Sequence, residues 1–374
     1  MSVASKRVAS KPPFRADQVG SLLRPAELHA ARAKFKRGEL TREALTAVED
    51  KCIREAVAQQ ERVGIQAVTD GEFRRDWWHV DFLAGFGGVE TRPDPGVAAF
   101  QGIKNDDMPP IMFVGSKLRR TKPVFVDHFK FLKSVTKNTP KMTIPAPAML
   151  HHRGGRNSVS TTAYPDMAEF WDDVGRAYQE EIGDLVAAGC NYLQIDDTSY
   201  SMLCDEKFRA MTVTRGDNPS ALVHTYAAAI NKALTGRPAG LNVTMHTCRG
   251  NFMSSWVASG GYDTVAEAVF NEVKVDGFFL EYDSDRAGGF EPLRFMPRDK
   301  KVVLGLVTSK SPVLESKDLL KRRIEEAAKY VPLENLCLSP QCGFASTHHG
   351  NKLTAEDQWK KLQLIVEVAD EVWG

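Results

Sequence analysis

The chain has 374 residues, of which 43% are hydrophobic, and its 49 basic and 48 acidic side chains leave a net charge of +1. A chain of this length can bury a substantial core in one large domain or in several small ones. The balanced charge argues against a nucleic-acid or anionic-membrane surface, and no apolar run reaches the roughly 18–20 residues of a membrane-spanning helix.

Residues 1–13 form an N-terminal segment that contains Lys6, Arg7 and Lys11 among serine and alanine but has no apolar stretch. This composition predicts a disordered leader rather than a secretory signal. The six cysteines are spread thinly along a long chain, which argues against a disulfide framework. We therefore expect a cytoplasmic protein with reduced cysteines.

Eight short apolar runs are predicted to be buried strands, and most are followed by a segment of helical periodicity. In chain order the strands are expected at residues 15–19, 65–68, 142–144, 192–195, 241–245, 277–280, 302–307 and 335–338. Helices are expected at residues 41–63, 166–188, 218–234, 265–273, 316–330 and 354–372. Before the third strand, Gly, Pro and Asp cluster around β-like runs at 111–114 and 123–126, which predicts a hairpin excursion over about 87–126.

This alternation of strands and helices predicts an α/β fold, specifically a (β/α)8 TIM barrel in which residues 14–374 form a single catalytic domain. An N-terminal extension and the hairpin excursion account for the length beyond about 250 residues. An open doubly wound sheet is the alternative, but the first strand–helix connection has no G-x-G-x-x-G motif. In a barrel, the polar residues that follow the strands meet at one face, where active sites lie.

His246 and Cys248 follow the fifth predicted strand. They lie two residues apart, so on extended backbone their side chains leave the same face. An imidazole and a thiolate that point to one position are common zinc ligands. A lone H-x-C pair is more often a packed histidine beside a buried cysteine, so the interpretation depends on ligands from other strands.

Two further ligands are expected at other strand ends, Glu281 after the sixth strand and Cys342 after the eighth. One histidine, two cysteines and one glutamate offer a tetrahedral set of nitrogen, sulfur and oxygen donors, which suits Zn²⁺ best. The alternative is that Cys342 is a buried thiol and Glu281 a surface charge. Ligands from separate strands predict a zinc site within an enzyme rather than a structural finger.

Five stretches resemble the cobalamin-independent methionine synthase family, in particular its short members, which correspond to the catalytic C-terminal barrel. These stretches are RADQVGSL at 15–22, TDGEF at 69–73, LQIDD at 193–197, HTCRGN at 246–251 and SPQCG at 339–343. The resemblance extends over nearly the whole chain from Arg15. It implies a zinc-dependent enzyme that transfers a methyl group to homocysteine and forms methionine.

The resemblance also implies roles for individual residues. The family's zinc ligands are matched by His246, Cys248, Glu281 and Cys342. The residues that hold the amino-acid part of homocysteine are matched by Ser21, Glu72 and Asp196, of which the two acids would bind the substrate ammonium. By residue type alone, Glu72 could be a solvated carboxylate and Asp196 a helix N-cap.

The implied mechanism rests on thiol chemistry. A free thiol has a pKa of about 8.5, and the thiolate is the nucleophile. Coordination to Zn²⁺ deprotonates the thiol, which could then attack a methyl carbon. Glu281 is expected to be the ligand displaced by the substrate sulfur, because its oxygen is the harder and weaker donor.

Two positions differ from the family's pattern. Lys310 stands before Ser-Pro where the family places a proposed acid histidine, and residues 146–152 contain no tryptophan where the family has one that stacks on folate. We expect Lys310 to donate a proton or to pair with an anionic substrate group, with a solvated lysine as the alternative. The methyl donor stays open among a folate, a methylcorrinoid and another small methyl compound.

Two other functions fit part of the sequence. A relative of the epoxyalkane–coenzyme M transferases would alkylate another thiol, although Glu72 and Asp196 would repel its sulfonate. A metal-free barrel relative would not need the predicted ligands.

The expected partners are a small-molecule thiol and a methyl donor, without nucleic acid or membrane, and the chain could form a homo-oligomer. Trp77, Trp78 and His79 are predicted either to cap the pocket or to pack under the hairpin.

Overall fold

The chain folds around a parallel sheet of six strands. The structure, a computed structural model, describes residues 11–94 and 108–374. The strands in these segments are β1 (Ala67–Val68), β2 (Gly87–Arg92), β3 (Ile111–Arg119), β4 (Thr139–Pro140), β5 (Met142–Pro145), β6 (Tyr192–Asp197), β7 (Asn242–Thr247), β8 (Gly277–Glu281), β9 (Lys301–Val307) and β10 (Leu336–Pro340). The helices are α1 (Ala26–Lys36), α2 (Arg42–Val63), α3 (Val80–Leu83), α4 (Val126–Val135), α5 (Met167–Ala187), α6 (Ser199–Met202), α7 (Glu206–Thr214), α8 (Pro219–Ala233), α9 (Ala266–Glu272), α10 (Lys317–Ala327) and α11 (Ala355–Trp373). No helix among them is long and apolar enough to cross a membrane.

Strands β5 to β10 pair in parallel and in chain order. Every residue of these strands is buried except the first of β7 and the first of β9. Burial on both faces explains why the strands read as continuous apolar runs in the sequence. The six predicted strands from 142–144 to 335–338 each coincide with one of them, which confirms the parallel α/β fold. Since the strands are parallel, their carboxyl ends share one edge.

The first two predicted strands are shorter than expected. β1 is a two-residue strand that pairs in parallel with β4 as a separate sheet. Residues 15–19 make only an isolated bridge, between Ala16 and Leu338 of β10, so the prediction of a full strand there is wrong. One contact from this segment to β1 uses a side chain, because Gln18 Nε2 donates to the Ala67 carbonyl over 3.0 Å. The described pairings therefore do not form a continuous ladder around eight strands.

The predicted excursion contains an antiparallel pair. β2 pairs with β3 from Gly87 opposite Arg119 to Arg92 opposite Ile111, and residues 95–107 lie outside the described residues. The run at 123–126 was wrongly predicted as β-like. Its peptide N–H groups at 124 and 125 donate to the buried carboxylate of Glu181, at 2.9 and 2.7 Å, and the chain then enters α4. Residues 1–10 of the predicted leader are also outside the described part.

Candidate metal centre and substrate cavity

Three of the four predicted zinc ligands come together at the carboxyl edge of the sheet. The ligand atoms of His246, Cys248 and Cys342 all lie within 4.8 Å of one another, and all three residues are buried. The two sulfur atoms are 3.4 Å apart. His246 belongs to β7, Cys248 directly follows it, and Cys342 follows β10, so the group is held at the carboxyl ends of two strands of the same sheet.

The donors in this group suit a metal ion. The hydrogen bond from Cys248 holds the pKa of the Cys342 thiol well below its usual range, and the same contact together with burial holds the pKa of Cys248 well above it. Both ring nitrogens of His246 are buried without a hydrogen-bond partner among the described residues. A buried imidazole beside two thiols fits Zn²⁺, since one ring nitrogen and the two sulfurs are the donors that zinc prefers.

Glu281, the fourth predicted ligand, ends β8 and is fully buried but is not part of this close group. Its Oε2 accepts a hydrogen bond of 2.8 Å from the peptide N–H of Arg249. Its Oε1 lies 3.6 Å from Lys310 Nζ and 3.6 Å from Arg286 Nη2. The structure thus places this carboxylate beside cations, and its role as a ligand stays a prediction.

A cavity of about 770 Å³, including its open mouth, contains the metal group and the predicted substrate residues. It is lined by Val19, Ser21, Glu72, Trp77, Trp78, His79, Pro109, Met149, His152, Arg153, Asp196, Thr198, Met202, His246, Cys248, Gly250, Asn251, Phe252, Cys342, Ser346 and Thr347. The structure therefore brings Ser21, Glu72 and Asp196 to the same space as the three ligands. Lys310 is not among the lining residues.

Glu72 lies in a tight turn after β1 with a backbone φ of 60°, a left-handed conformation that is uncommon for a residue other than glycine. Its peptide N–H donates to Asp70 over 2.8 Å, which holds the turn. Oε1 accepts from Thr143 at 2.8 Å and lies 3.3 Å from Arg75. Oε2 has no partner among the described residues, and burial raises the pKa of this carboxyl. This buried acceptor suits a cationic substrate group.

Asp196 and Asp197, the adjacent acids at the end of β6, form different contacts. Asp197 stabilises the first turn of α6, because it accepts hydrogen bonds from the Ser199 hydroxyl and the Tyr200 peptide, both at 2.9 Å. Asp196 instead lines the cavity and accepts from Gln194 Nε2 at 2.7 Å. Burial raises the pKa of Asp196 to about 7 and that of Asp197 to about 6. The N-cap alternative for Asp196 is therefore wrong, since Thr198 is the N-cap of α6 and Asp196 faces the cavity.

Comparison with known proteins accounts for this arrangement. The family model of the cobalamin-independent synthase catalytic domain matches residues 14–371. The chain belongs to the cobalamin-independent methionine synthase family.

Relatives of this synthase family cover nearly the whole chain. YxjG, an uncharacterized protein of Bacillus subtilis, is 48% identical, over 97% of this chain and 96% of that protein. A methionine synthase of Saccharolobus solfataricus is 26% identical, over 93% of this chain and 92% of its own. A solved structure from Listeria monocytogenes, assigned to vitamin-B12 independent methionine synthase, is 38% identical with a TM-score of 0.77 and covers 98% of this chain and 99% of its own. That likeness supports a fold of the TIM-barrel family over an open doubly wound sheet.

Two residues that line the cavity with the metal group were not predicted from the sequence to belong to the site. His152 and Arg153 follow β5, with His152 Nε2 at 3.3 Å from the Thr198 hydroxyl. Arg153 forms a buried ion pair with Asp94 and donates to the Pro109 carbonyl over 3.2 Å. Their position in the segment between β5 and α5 was the available signal, since residues that follow strands line the rest of the cavity.

The predicted segment 77–79 lines the cavity, so the capping interpretation is supported. The Trp77 ring lies 5.9 Å from that of Phe252, which also lines the cavity. On its other sides Trp77 contacts His348 at 5.5 Å and His349 at 5.6 Å, ring centre to ring centre. Trp77 and Phe252 thus form an aromatic wall of the cavity. The two histidines pack against this wall and are not lining residues themselves.

Ser21 packs directly against Gly343 in the loop that carries Cys342. A methyl group on Gly343 would lie 1.9 Å from Ser21 Oγ. Gly343→Ala should displace Ser21 and weaken the binding of the predicted substrate, homocysteine, by about tenfold, which calorimetric titration of the zinc-loaded protein would measure. Gly183→Ala on α5 is the matched control, because an added methyl there meets nothing within 4 Å and should leave binding unchanged. Equal binding by both variants would contradict a role for Ser21.

Proposed function

We propose that this chain is a zinc-dependent S-methyltransferase that methylates the thiol of homocysteine and forms methionine. The observation that carries the proposal is the shared cavity, in which three buried nitrogen and sulfur donors face two buried carboxylates. The donors suit Zn²⁺, and the carboxylates suit the ammonium of an amino-acid thiol. Membership of the methionine synthase family supports the same reaction.

His246, Cys248 and Cys342 would hold the metal, with Glu281 as the fourth and exchangeable ligand. Bound Zn²⁺ would lower the pKa of the substrate thiol and so supply a thiolate at neutral pH. Glu72 and Asp196 would bind the substrate ammonium, and Ser21 would contact its amino-acid end. These contacts fix the sulfur toward the open half of the cavity, where the methyl donor enters.

The transfer is then a displacement at carbon. The sulfur–carbon bond forms as the bond between the methyl carbon and the donor breaks, and the donor keeps the electron pair. The aromatic wall around Trp77 excludes water from this step. Lys310 does not reach the cavity lining, so its position supports an action through Glu281 rather than direct proton donation.

A closed eight-stranded barrel is the architecture that best explains this meeting of strand ends. Residues 15–19 would close the barrel between β10 and β1 without forming a full strand, since they bridge to β10 and contact β1 through Gln18. We also propose that the protein acts in the cytoplasm, where reduced thiols and a bound metal persist. A homo-oligomer stays a prediction.

The alternatives are less well supported by the cavity. Two buried carboxylates near the metal group would repel the sulfonate of coenzyme M, so an alkyltransferase for that thiol is disfavoured. The close grouping of His246, Cys248 and Cys342 argues against a metal-free relative.

The test is a donor screen on the purified, zinc-loaded protein. Homocysteine is incubated with methylated folates, methylcobalamin or simple methyl compounds, and methionine is measured by mass spectrometry. We expect about one zinc per chain and methionine from at least one donor. Protein that binds no zinc, or that alkylates coenzyme M faster than homocysteine, would refute the proposal.

A further inference from the structure

Glu281 is surrounded by positive charge. Its carboxylate is fully buried, and three cationic side chains approach it: Lys310 and Arg286 at 3.6 Å from Oε1, and Arg249 at 3.9 Å from Oε2. Lys310 and Arg286 are only 7% and 11% exposed, so solvent screens their charges little. A carboxylate at this position is stabilised without any metal.

The contacts to Glu281 Oε1 are close but are not hydrogen bonds. Among the described residues, neither this oxygen nor Lys310 Nζ has a hydrogen-bond partner. Buried charged groups normally gain such partners, because an unpaired one costs free energy. A small movement of Glu281 would therefore gain a bond, either to Lys310 or to a metal held by the neighbouring ligands.

Among the described ion pairs, Lys310 has one carboxylate partner and Arg286 has two. Arg286 Nη2 also contacts Asp283, at 2.9 Å, so its charge is shared. The ion pair that Lys310 forms in the described structure is with Glu281. The backbone also orients Glu281, since Oε2 accepts from the Arg249 peptide while Oε1 faces the cations.

We propose that Lys310 and Arg286 form a cationic acceptor for Glu281, so that this carboxylate exchanges between the metal and Lys310. Lys310 would then be a positioning residue that determines how readily the metal takes up the substrate thiol. The inference rests on the proposed function. It is supported by the exclusion of Glu281 from the close ligand group, and by the weak hold of Zn²⁺ on an oxygen donor compared with thiolates.

The test compares Lys310→Met with Lys310→Arg in the zinc-loaded full chain. Zinc-edge X-ray absorption counts sulfur ligands before and after homocysteine, and a competing chelator reports zinc affinity. In Lys310→Met, Glu281 loses its alternative partner, so zinc should be held at least as tightly while homocysteine binds about 10- to 100-fold more weakly. Lys310→Arg should behave nearly as the wild type. Lys329→Met, at an exposed lysine, is the control and should change neither property.

Each result separates this inference from the proposed function. Equal homocysteine affinity and the same gain of one sulfur in Lys310→Met and wild type would overturn the role of Lys310 and leave the methyltransferase proposal standing. Loss of zinc from Lys310→Met would also overturn it, since that result indicates general support of the site. A wild-type protein that holds zinc but gains no sulfur from homocysteine would overturn the proposed function itself.

Discussion

Cys342→Ala and His246→Ala should each yield a folded protein that no longer retains zinc and no longer forms methionine. Structural zinc sites bind with about 10–16 kcal/mol shared among four ligands, so on that scale the loss of one ligand should cost roughly 3 kcal/mol, more than a hundredfold in affinity. Both residues lie at the edge of the sheet, and their truncation leaves the apolar strands intact. Metal analysis after dialysis and the thermal midpoint of the metal-free protein measure the two effects.

The control for these variants is Cys190→Ala. Cys190 is also buried, but it follows α5 and is not part of the metal group. This variant should keep its zinc and its activity at a small cost in stability. If Cys342→Ala retained zinc to the same degree as Cys190→Ala, the proposed centre would be wrong.

Glu72→Gln should weaken homocysteine binding while zinc content stays at the wild-type level. Glutamine keeps the size of the side chain and an oxygen for the Thr143 hydrogen bond but removes the charge that faces the substrate ammonium. Removal of one partner from a buried charge pair costs about 2 kcal/mol or more, so KM for homocysteine should rise at least roughly thirtyfold. Steady-state kinetics with homocysteine as the varied substrate measures this change.

A thiol without the amine provides the internal control. 4-Mercaptobutanoate has the carbon chain, thiol and carboxylate of homocysteine but no ammonium. Glu72→Gln should bind it no worse than the wild type, because the lost charge has no partner on this ligand. A parallel loss of affinity for both thiols would show that the substitution disturbs the cavity rather than the ammonium contact.

The sequence predicted the central sheet well, because strands buried on both faces appear as continuous apolar runs. The predictions were wrong where side chains, instead of a neighbouring strand, form hydrogen bonds with the backbone. Residues 124 and 125 donate to the carboxylate of Glu181, a residue far along the chain, so a β-like run does not become a strand. Residues 15–19 contact β1 through the Gln18 side chain, which apolar periodicity does not reveal.

The candidate site was predictable where residue type and strand end coincide, as for the His246–Cys248 pair and Cys342. The different contacts of Asp196 and Asp197 could not be predicted, because they depend on which carboxylate turns toward the start of α6. The ion contacts of Glu281 could not be predicted from the sequence either, since Lys310 and Arg286 approach it from separate loops. Such contacts depend on side-chain direction in three dimensions rather than on spacing along the chain.

The closeness of Cys248 and Cys342 has a consequence for the redox behaviour of the protein. Their sulfurs are 3.4 Å apart, and a disulfide bond is about 2.05 Å long, so a small approach would join them. An oxidant that removes two electrons from the pair forms this bond and releases the thiol protons. The cross-link would occupy both sulfurs and block metal uptake until a reductant reopens it. The protein without a bound metal would thus be sensitive to oxidation.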